Sequence, residues 1–343
     1  MKHHLNTMFV TTDGAYLAKD GAAVVVKVGD EQKLRVPLHN LGGIVCFGRV
    51  AASPFLLGAC AEAGVAVSFL TEHGRFLAKV QGFTPGNVLL RREQYRRADD
   101  ADGATAIARS VVSAKLANSR TVLLRATRDY PEGGGRAQLS GAAAVLARCV
   151  RQSRTATSLD SLRGIEGEGA DTYFGAFDHL LTVQREAFAF RSRSRRPPLD
   201  PINALLSFLY AMLGHDARAA LEAAGLDPAV GFLHRDRPGR PSLALDLIEE
   251  FRAFLADRLA LSLVNRRQVT GGGFQAAESG GIRMDDATRR TVIAAYQRRK
   301  QETILHPFLH EHTTVGLLIH LQARLLARHL RGDLDAYPAF IWR

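Results

Sequence analysis

The first eighty residues alternate short apolar runs with polar breaks, and the rest of the chain does not. TMFVTT, AYLAKD and AAVVVKV are separated by Asp13-Gly14 and Asp20-Gly21. Short β-branched runs of this kind form strands, and Asp-Gly between them is a strong hairpin signal because both turn positions take positive φ. QKLRVPL, GGIVCFG, VAVSFL and GRFLAKV continue the pattern. One helix is predicted among them, from Ser53 to Ala63. Ser53 stands at the N-cap, Pro54 at the first helical position and Gly64 just past the end.

Beyond residue 103 apolar residues recur every three or four positions, the period of a helix with one buried face. Helices are predicted over 104–129, 139–156, 165–190, 201–214, 216–224, 242–262, 286–303 and 307–331. FTPGNVLLRREQYRRADDADG (83–103) reads as a linker running into the first of these. RSRSRRPPLDP (191–201) reads as an arginine-rich connection, and TGGGFQAAESGG (270–281) as a flexible loop or a short hairpin. The predicted fold class is α+β: a small N-terminal β domain over 1–82, a linker over 83–103 and a larger all-α domain over 104–343. Its 343 residues suffice for two domains with real cores.

Charge adds a partner class. The net charge is +11, which favours a polyanion. Residues 1–90 hold 8 basic and 6 acidic residues, whereas residues 91–343 hold 37 and 28, so the excess lies in the helical part. No apolar run reaches membrane-spanning length, and MKHHLNTMFVTTDG carries no apolar core of signal-peptide length. Cys46, Cys60 and Cys149 form no zinc-like spacing and are expected as buried free thiols in a reducing cytoplasm.

Candidate chemistry lies in two stretches. In GIEGEGADTYFGAFDHLLTV (164–183) the apolar stripe, projected back, lands on Glu166, with Glu168 on the opposite side. A carboxylate at a core-facing position needs a partner; the alternative is a frayed first turn in which it meets solvent. In GFLHRDRPGRPSLALDLIEEF (231–251) His234 precedes a helix carrying Asp246, Glu249 and Glu250 opposite its apolar face. Asp246 and Glu249 are i, i+3 neighbours. They form either a solvated acidic face or one side of an ion's cage. Glu166, His234 and Glu249 together make a donor set suited to Mg²⁺ or, with its imidazole, Mn²⁺. In a basic protein that points to phosphodiester chemistry. Arg91, Arg92, Arg96 and Arg97 beside Tyr95, then Lys115 with Arg120 and Arg125, then Arg191, Arg193, Arg195 and Arg196, and finally Arg235, Arg237 and Arg240 are candidates for contacts with a DNA backbone. HPFLHEHTT places His306 and His310 at i, i+4, a spacing that holds zinc, but no third ligand follows and Pro307 disfavours a helix there.

These stretches resemble the CRISPR-associated integrase of the spacer-acquisition module, the Cas-one family, and within it the subtype I-C branch. The likeness runs through NTMFVTTDGAYL, VPLHNLGGIVCFGRV, SPFLLGACAEAGVAVSFL, GRFLAKVQGFTPGNVLLRREQYR, GIEGEGADTYF, RRPPLDPINALLSFLYAML, GFLHRDRPGRPSLALDLIEEFR, QVTGGGF, HPFLHEHTTVGLLIHLQARLLARHLRG and YPAFIWR. It implies a β-sandwich-like N-terminal domain that makes a homodimer and a helical catalytic domain. It implies Glu166, His234 and Glu249 as metal ligands, with Asp246 as a supporting acid. It further implies two dimers assembled on a dimer of a small ferredoxin-like adaptation protein, in a bacterial cytoplasm. The expected reaction is metal-dependent transesterification, inserting double-stranded protospacer DNA into the CRISPR repeat array through its 3′-hydroxyl ends. Two alternatives stand beside it: a metal-dependent DNA endonuclease acting by hydrolysis, and an architectural nucleic-acid binder whose acids only pair with basic side chains.

Overall fold

The computed structural model describes residues 6–72, 76–80, 82, 87–129, 135–278 and 280–342. Residues 83–86 of the expected linker, and Gly74 and Arg75 at the head of GRFLAKV, lie outside that set. The chain divides into two compact units, Met1–Gly86 and Asn87–Arg343.

The N-terminal unit has β1 (Asn6–Val10), β2 (Ala15–Asp20), β3 (Ala23–Val28), β4 (Glu31–Pro37), β5 (Leu41–Phe47), β6 (Ala51–Ala52), α1 (Pro54–Glu62), β7 (Ala66–Leu70) and β8 (Phe76–Val80). They form two four-stranded sheets, ordered β1-β5-β7-β8 and β4-β3-β2-β6. Asp20-Gly21 closes the β2–β3 hairpin, as expected, with Asp20 opposite Ala23. Asp13-Gly14 does not close one: β1 pairs in parallel with β5, and the turn carries the chain into the other sheet. Leu17, Val24, Ile44, Cys46, Leu56 and Cys60 meet in one core. Ser53 caps α1 by accepting from Leu56 N at 3.2 Å. All three cysteines are free and buried.

The second unit is mainly helical. Its α2 (Val88–Asp99) falls in the stretch expected to connect the two domains. The helix is hard to read because its buried face includes a polar residue, Gln94, whose amide nitrogen donates to Asp227 O and Val230 O, both at 2.8 Å. The long α3 (Ala101–Asp129) follows, then α4 (Arg136–Thr155) and α5 (Leu159–Gly175), which pack against it. Helix α5 starts and ends earlier than its apolar pattern predicts. Ser158 caps it, and beyond Gly175 the buried Phe177, Leu180, Phe188 and Phe190 reach the core from non-α-helical chain. Helix α6 (Pro201–Ala223) runs unbroken through both helices expected there, started by Asp200 accepting from Asn203 N at 2.7 Å. Next come α7 (Ser242–Glu249), a π-helical turn (Arg252–Asp257), α8 (Arg258–Asn265), the β9–β10 hairpin (Phe274–Ala276, Ile282–Met284) and α9 (Asp286–Gln301). The HPFLHEHTT stretch lies in a hairpin between β11 (Thr303–Leu305) and β12 (His312–Thr314), and α10 (Val315–Leu330) begins only after it. No described helix is long and apolar enough to cross a membrane.

The single helix expected over 242–262 is interrupted: α7 ends at Glu249, Glu250 and Phe251 form a turn, and the π-helical segment intervenes before α8. The break turns Glu250 toward the C-terminal segment, where Tyr337 OH (2.5 Å), Phe340 N (2.6 Å) and Gln322 Nε2 (3.0 Å) donate to its carboxylate. Asn118 of α3 donates to Glu250 O and Phe340 O and accepts from Trp342 N. Trp342 lies between the guanidiniums of Arg125 and Arg258, 3.8 and 4.3 Å from its ring.

One close approach sets the spacing of α3 and α5. A Cβ at Gly169 would lie 2.1 Å from Leu116 Cδ2, itself deep in the core. Gly169 stands one turn from Glu166, and Leu116 is next to Lys115, so the approach brings these two side chains together. Gly169→Leu is expected to destabilise the protein by about 1–3 kcal/mol through overpacking. The measurement is a urea melt, with a lowered midpoint at unchanged slope; an unchanged midpoint would show that the two helices part freely.

Candidate metal centre

Asp246 organises the loop ahead of α7. Its Oδ2 accepts from Phe232 N (2.6 Å) and Leu233 N (3.0 Å), and its Oδ1 from His234 N (3.0 Å). Gly231 permits this wrap, since a Cβ there would sit 2.8 Å from Asp246 Oδ2. Arg163 of α5 holds the same loop by donating twice to Leu233 O, at 3.0 and 2.9 Å. His234 Nδ1 lies 2.6 Å from Asp246 Oδ1. A carboxylate only accepts, so the donor is assigned to Nδ1, and Nε2 is the ring nitrogen left to face the site. Nε2 is directed toward Glu249, 3.9 Å from its Oε1.

Glu166 and Glu249 converge on one ammonium. Lys115 Nζ pairs with Glu166 Oε1 and, at 2.7 Å, with Glu249 Oε2. Arg252 Nη2 pairs with the other oxygen, Glu249 Oε1, at 3.1 Å. The side chains of Asp246 and Glu249 are 2% and 3% exposed, those of Lys115, His234 and Glu166 13%, 20% and 27%. A solvated acidic face is therefore ruled out, and so is a frayed first turn, since Glu166 lies inside α5. Glu168 points away, half-exposed, and pairs with Arg148.

The adjacent acids Glu249 and Glu250 are driven in opposite directions. Burial disfavours charge on both. At Glu249 the cations Arg252 and Lys115, with His234, outweigh burial and hold the carboxyl down at about 2. Glu250 meets only neutral donors, and burial pushes it up to about 7. Glu249 is thus the ionised acid of the pair near neutral pH and Glu250 an anchor for the C-terminal segment.

Among the described residues no three His, Cys, Asp or Glu side chains stand converged on a ready ion position. At this site the Lys115 ammonium lies between the two carboxylates. The donors nevertheless fit a hard cation. Two carboxylates already share one positive charge. Glu249 Oε2 is buried and, despite its 2.7 Å ion pair, makes no hydrogen bond of sound geometry. A histidine whose far nitrogen is fixed by a carboxylate is the usual form of a metal-bound imidazole.

The other sequence candidates separate. Lys115 is not a backbone-binding surface cation, because its charge is spent on Glu166 and Glu249. Arg193 also turns inward, donating to Asn203 Oδ1 (2.7 Å) and Ser207 Oγ (3.2 Å) with its guanidinium over Tyr210. Arg91, Arg92, Arg96 and Arg97 lie on α2, with Arg92 and Arg96 exposed and Glu93 pairing with Arg96 and Arg97. Arg191, Arg195, Arg196 and Arg237 are exposed, Arg240 is half-buried, and Arg235 pairs with Asp160 at 3.2 Å. His306 is buried with Nε2 3.0 Å from Gln322 Oε1 and Nδ1 accepting from Phe308 N and Leu309 N, so neither ring nitrogen is spare for zinc. Arg120, already a candidate, is joined by two arginines that the sequence reading missed. Arg120 of α3 and Arg151 and Arg154 of α4 line a groove of about 370 Å³ with an apolar floor that includes Ala117, Val150 and Ile341. No carboxylate lines it, and Arg120 Nε is buried without a partner.

The family model for CRISPR associated protein Cas1 matches residues 8–298. The CRISPR-associated endonuclease Cas1 1 of Chlorobaculum tepidum is 57% identical over 343 residues, 100% of both chains. A chain in a solved Cas6-RT-Cas1–Cas2 complex is 25% identical with a TM-score of 0.82, covering 100% of this chain and 36% of that one. A casposase bound to its integration product shares the fold, with a TM-score of 0.84 at 22% identity over 99% and 95% of the two chains. With a family model that spans Glu166, His234 and Glu249, and identity of this order along the whole length, the chain belongs to the Cas1 family of CRISPR associated proteins.

Proposed function

We propose that this protein is a metal-dependent DNA integrase of CRISPR adaptation, acting in the bacterial cytoplasm and belonging to the subtype I-C branch. The observation that carries the reading is the approach of Glu166 and Glu249 to one shared ammonium, with an Asp246-oriented His234 beside Glu249. Glu166, His234 and Glu249 would hold Mn²⁺ or Mg²⁺. Such an ion supplies Lewis-acid polarisation of a scissile phosphate and charge stabilisation for the oxygens that exchange on it.

In the proposed reaction the 3′-hydroxyl oxygen of a protospacer end forms a new bond to a phosphorus at the leader–repeat boundary. The bond from that phosphorus to the target strand's 3′ oxygen breaks, and the proton lost by the attacking hydroxyl is balanced by one gained by the leaving oxygen. A second such exchange, on the other strand at the far end of the repeat, completes insertion. Asp246 fixes the imidazole of His234, and Arg252 keeps Glu249 ionised and in place. Positioning and charge, rather than covalent chemistry by the protein, supply the rate.

We further propose that the Arg120–Arg151–Arg154 groove holds a DNA backbone. Guanidiniums gathered on an apolar floor without a carboxylate suit a phosphodiester strand. The exposed Arg92, Arg96, Arg191, Arg195, Arg196 and Arg237 extend the basic surface. The N-terminal β unit would make the homodimer, and two dimers would assemble on a dimer of the small ferredoxin-like adaptation protein. A similar chain solved in a complex with Cas2 supports such a partner.

The test mixes the protein, its small partner, Mn²⁺ and labelled protospacer with a supercoiled plasmid carrying the repeat. Joining is expected to need a free 3′-hydroxyl and to be lost in Glu166→Ala, while Asp246→Asn lowers it about 10–100-fold, as loss of a ligand-orienting carboxylate does. Glu166-dependent cutting without joining would favour hydrolysis. Unchanged function in Glu166→Ala would favour the architectural alternative.

The groove has its own measurement. Replacing Arg120, Arg151 and Arg154 with Gln is expected to flatten the slope of log binding constant against log salt by about 2–3, close to one for each phosphate no longer neutralised. Removing the same charge at the exposed Arg290, Arg298 and Arg324 should change that slope less; equal effects would mean that the groove is not a DNA site.

A further inference from the structure

Lys115 occupies a position that neither a surface cation nor an ordinary core residue would take. It sits in α3 between the buried Ala114 and Leu116. Its ammonium bridges Glu166 of α5 and Glu249 of α7, joining carboxylates from two different helices. Without a cation between them, two carboxylates at this depth would repel, and Glu249, 3% exposed, would carry a costly buried charge. Arg252 does not fill this role. It pairs with the other oxygen, Glu249 Oε1, and lies over the Tyr210 ring at 4.8 Å. Oε2 is left to Lys115, at ion-pair distance but without a well-directed hydrogen bond.

We propose that Lys115 is a resident counter-ion that stands in for the divalent ion and must be displaced for it to bind. The inference rests on the reading of Glu166, His234 and Glu249 as metal ligands. The ammonium and the metal claim the same two carboxylates, so they exclude each other. Lysine suits displacement because its charge is a single point on a flexible four-carbon stem, whereas the planar guanidinium of Arg252 is held on two sides. The 13% exposure of Lys115 gives the ammonium a way out. Lys115 therefore acts as a positioning residue in two ways. It keeps α3, α5 and α7 converged before metal arrives, and it weakens metal affinity, so that a higher ion concentration is needed to fill the site.

The experiment is a calorimetric Mn²⁺ titration of the full chain, wild type against Lys115→Met, with Glu166→Ala in parallel and thermal melts in EDTA. Lys115→Met is expected to bind Mn²⁺ at least about tenfold tighter, a difference of about 1.4 kcal/mol. It should also melt below wild type in EDTA and recover when Mn²⁺ is added, because a ligand that binds only the folded state stabilises it. Equal or weaker Mn²⁺ binding by Lys115→Met, with Glu166-dependent binding intact in wild type, would overturn the displacement and leave the metal reading standing. Absence of Glu166-dependent Mn²⁺ binding in both proteins would overturn the metal reading and the displacement with it. Should Lys115→Met fail to fold, wild type labelled with ¹⁵N-lysine gives the answer. The Lys115 ammonium resonance, identified by its loss in Lys115→Arg, should shift on adding Mg²⁺; a resonance unmoved at saturating Mg²⁺ would overturn the proposal.

Discussion

Two carboxylates drawn together inside a protein require a positive charge between them, and the helical unit is organised around that requirement. Glu166 and Glu249 come from different helices, and their approach depends on how closely α3 packs against α5. Gly169 makes that distance possible, because any side chain there would collide with Leu116. Lys115, next to Leu116, then reaches both acids. Arg252 holds Glu249 from the other side. The result is a carboxylate that stays ionised despite being almost wholly buried, the state in which oxygen binds a hard cation.

The same economy of positions separates the acids of the DLIEEF stretch. Asp246, Glu249 and Glu250 lie within five residues and are all buried, yet each meets different chemistry. Asp246 gathers three backbone N–H groups and the His234 ring and so aims the imidazole. Glu249 faces cations. Glu250, turned away by the π-helical break, faces a phenol, an amide side chain and a backbone N–H, and anchors the C-terminal segment. Neighbouring groups of one type thus acquire separate roles from their surroundings alone. Asn118 ties that anchor back to α3, the helix that carries Lys115.

Much of this was legible in the sequence, and the failures have physical causes. The β-then-α order, the cap of α1 and the start of α6 follow local rules, and they hold. The helical wheel set Glu166 inward and Glu168 outward, as found. Periodicity misled where buried residues are not helical, as over Phe177–Phe190, and where an apolar pattern continues through a turn, as at Glu250–Phe251. It also missed α2, whose inward face includes Gln94. Asp13-Gly14 signalled a hairpin, but pairing of β1 with β5 is non-local and no turn residue reports it. Lys115 and Arg193 were grouped with surface cations because charge counting ignores direction. The signal was present for Lys115, which stands among buried apolar neighbours on its helix.

The most direct test of a metal centre guarded by Lys115 is anomalous diffraction from crystals of the protein grown with Mn²⁺. The expected result is one strong manganese peak bounded by Glu166, His234 Nε2 and Glu249, with the Lys115 ammonium withdrawn from both carboxylates. A crystal at saturating Mn²⁺ with no peak there, and with Lys115 still bridging Glu166 and Glu249, would contradict it.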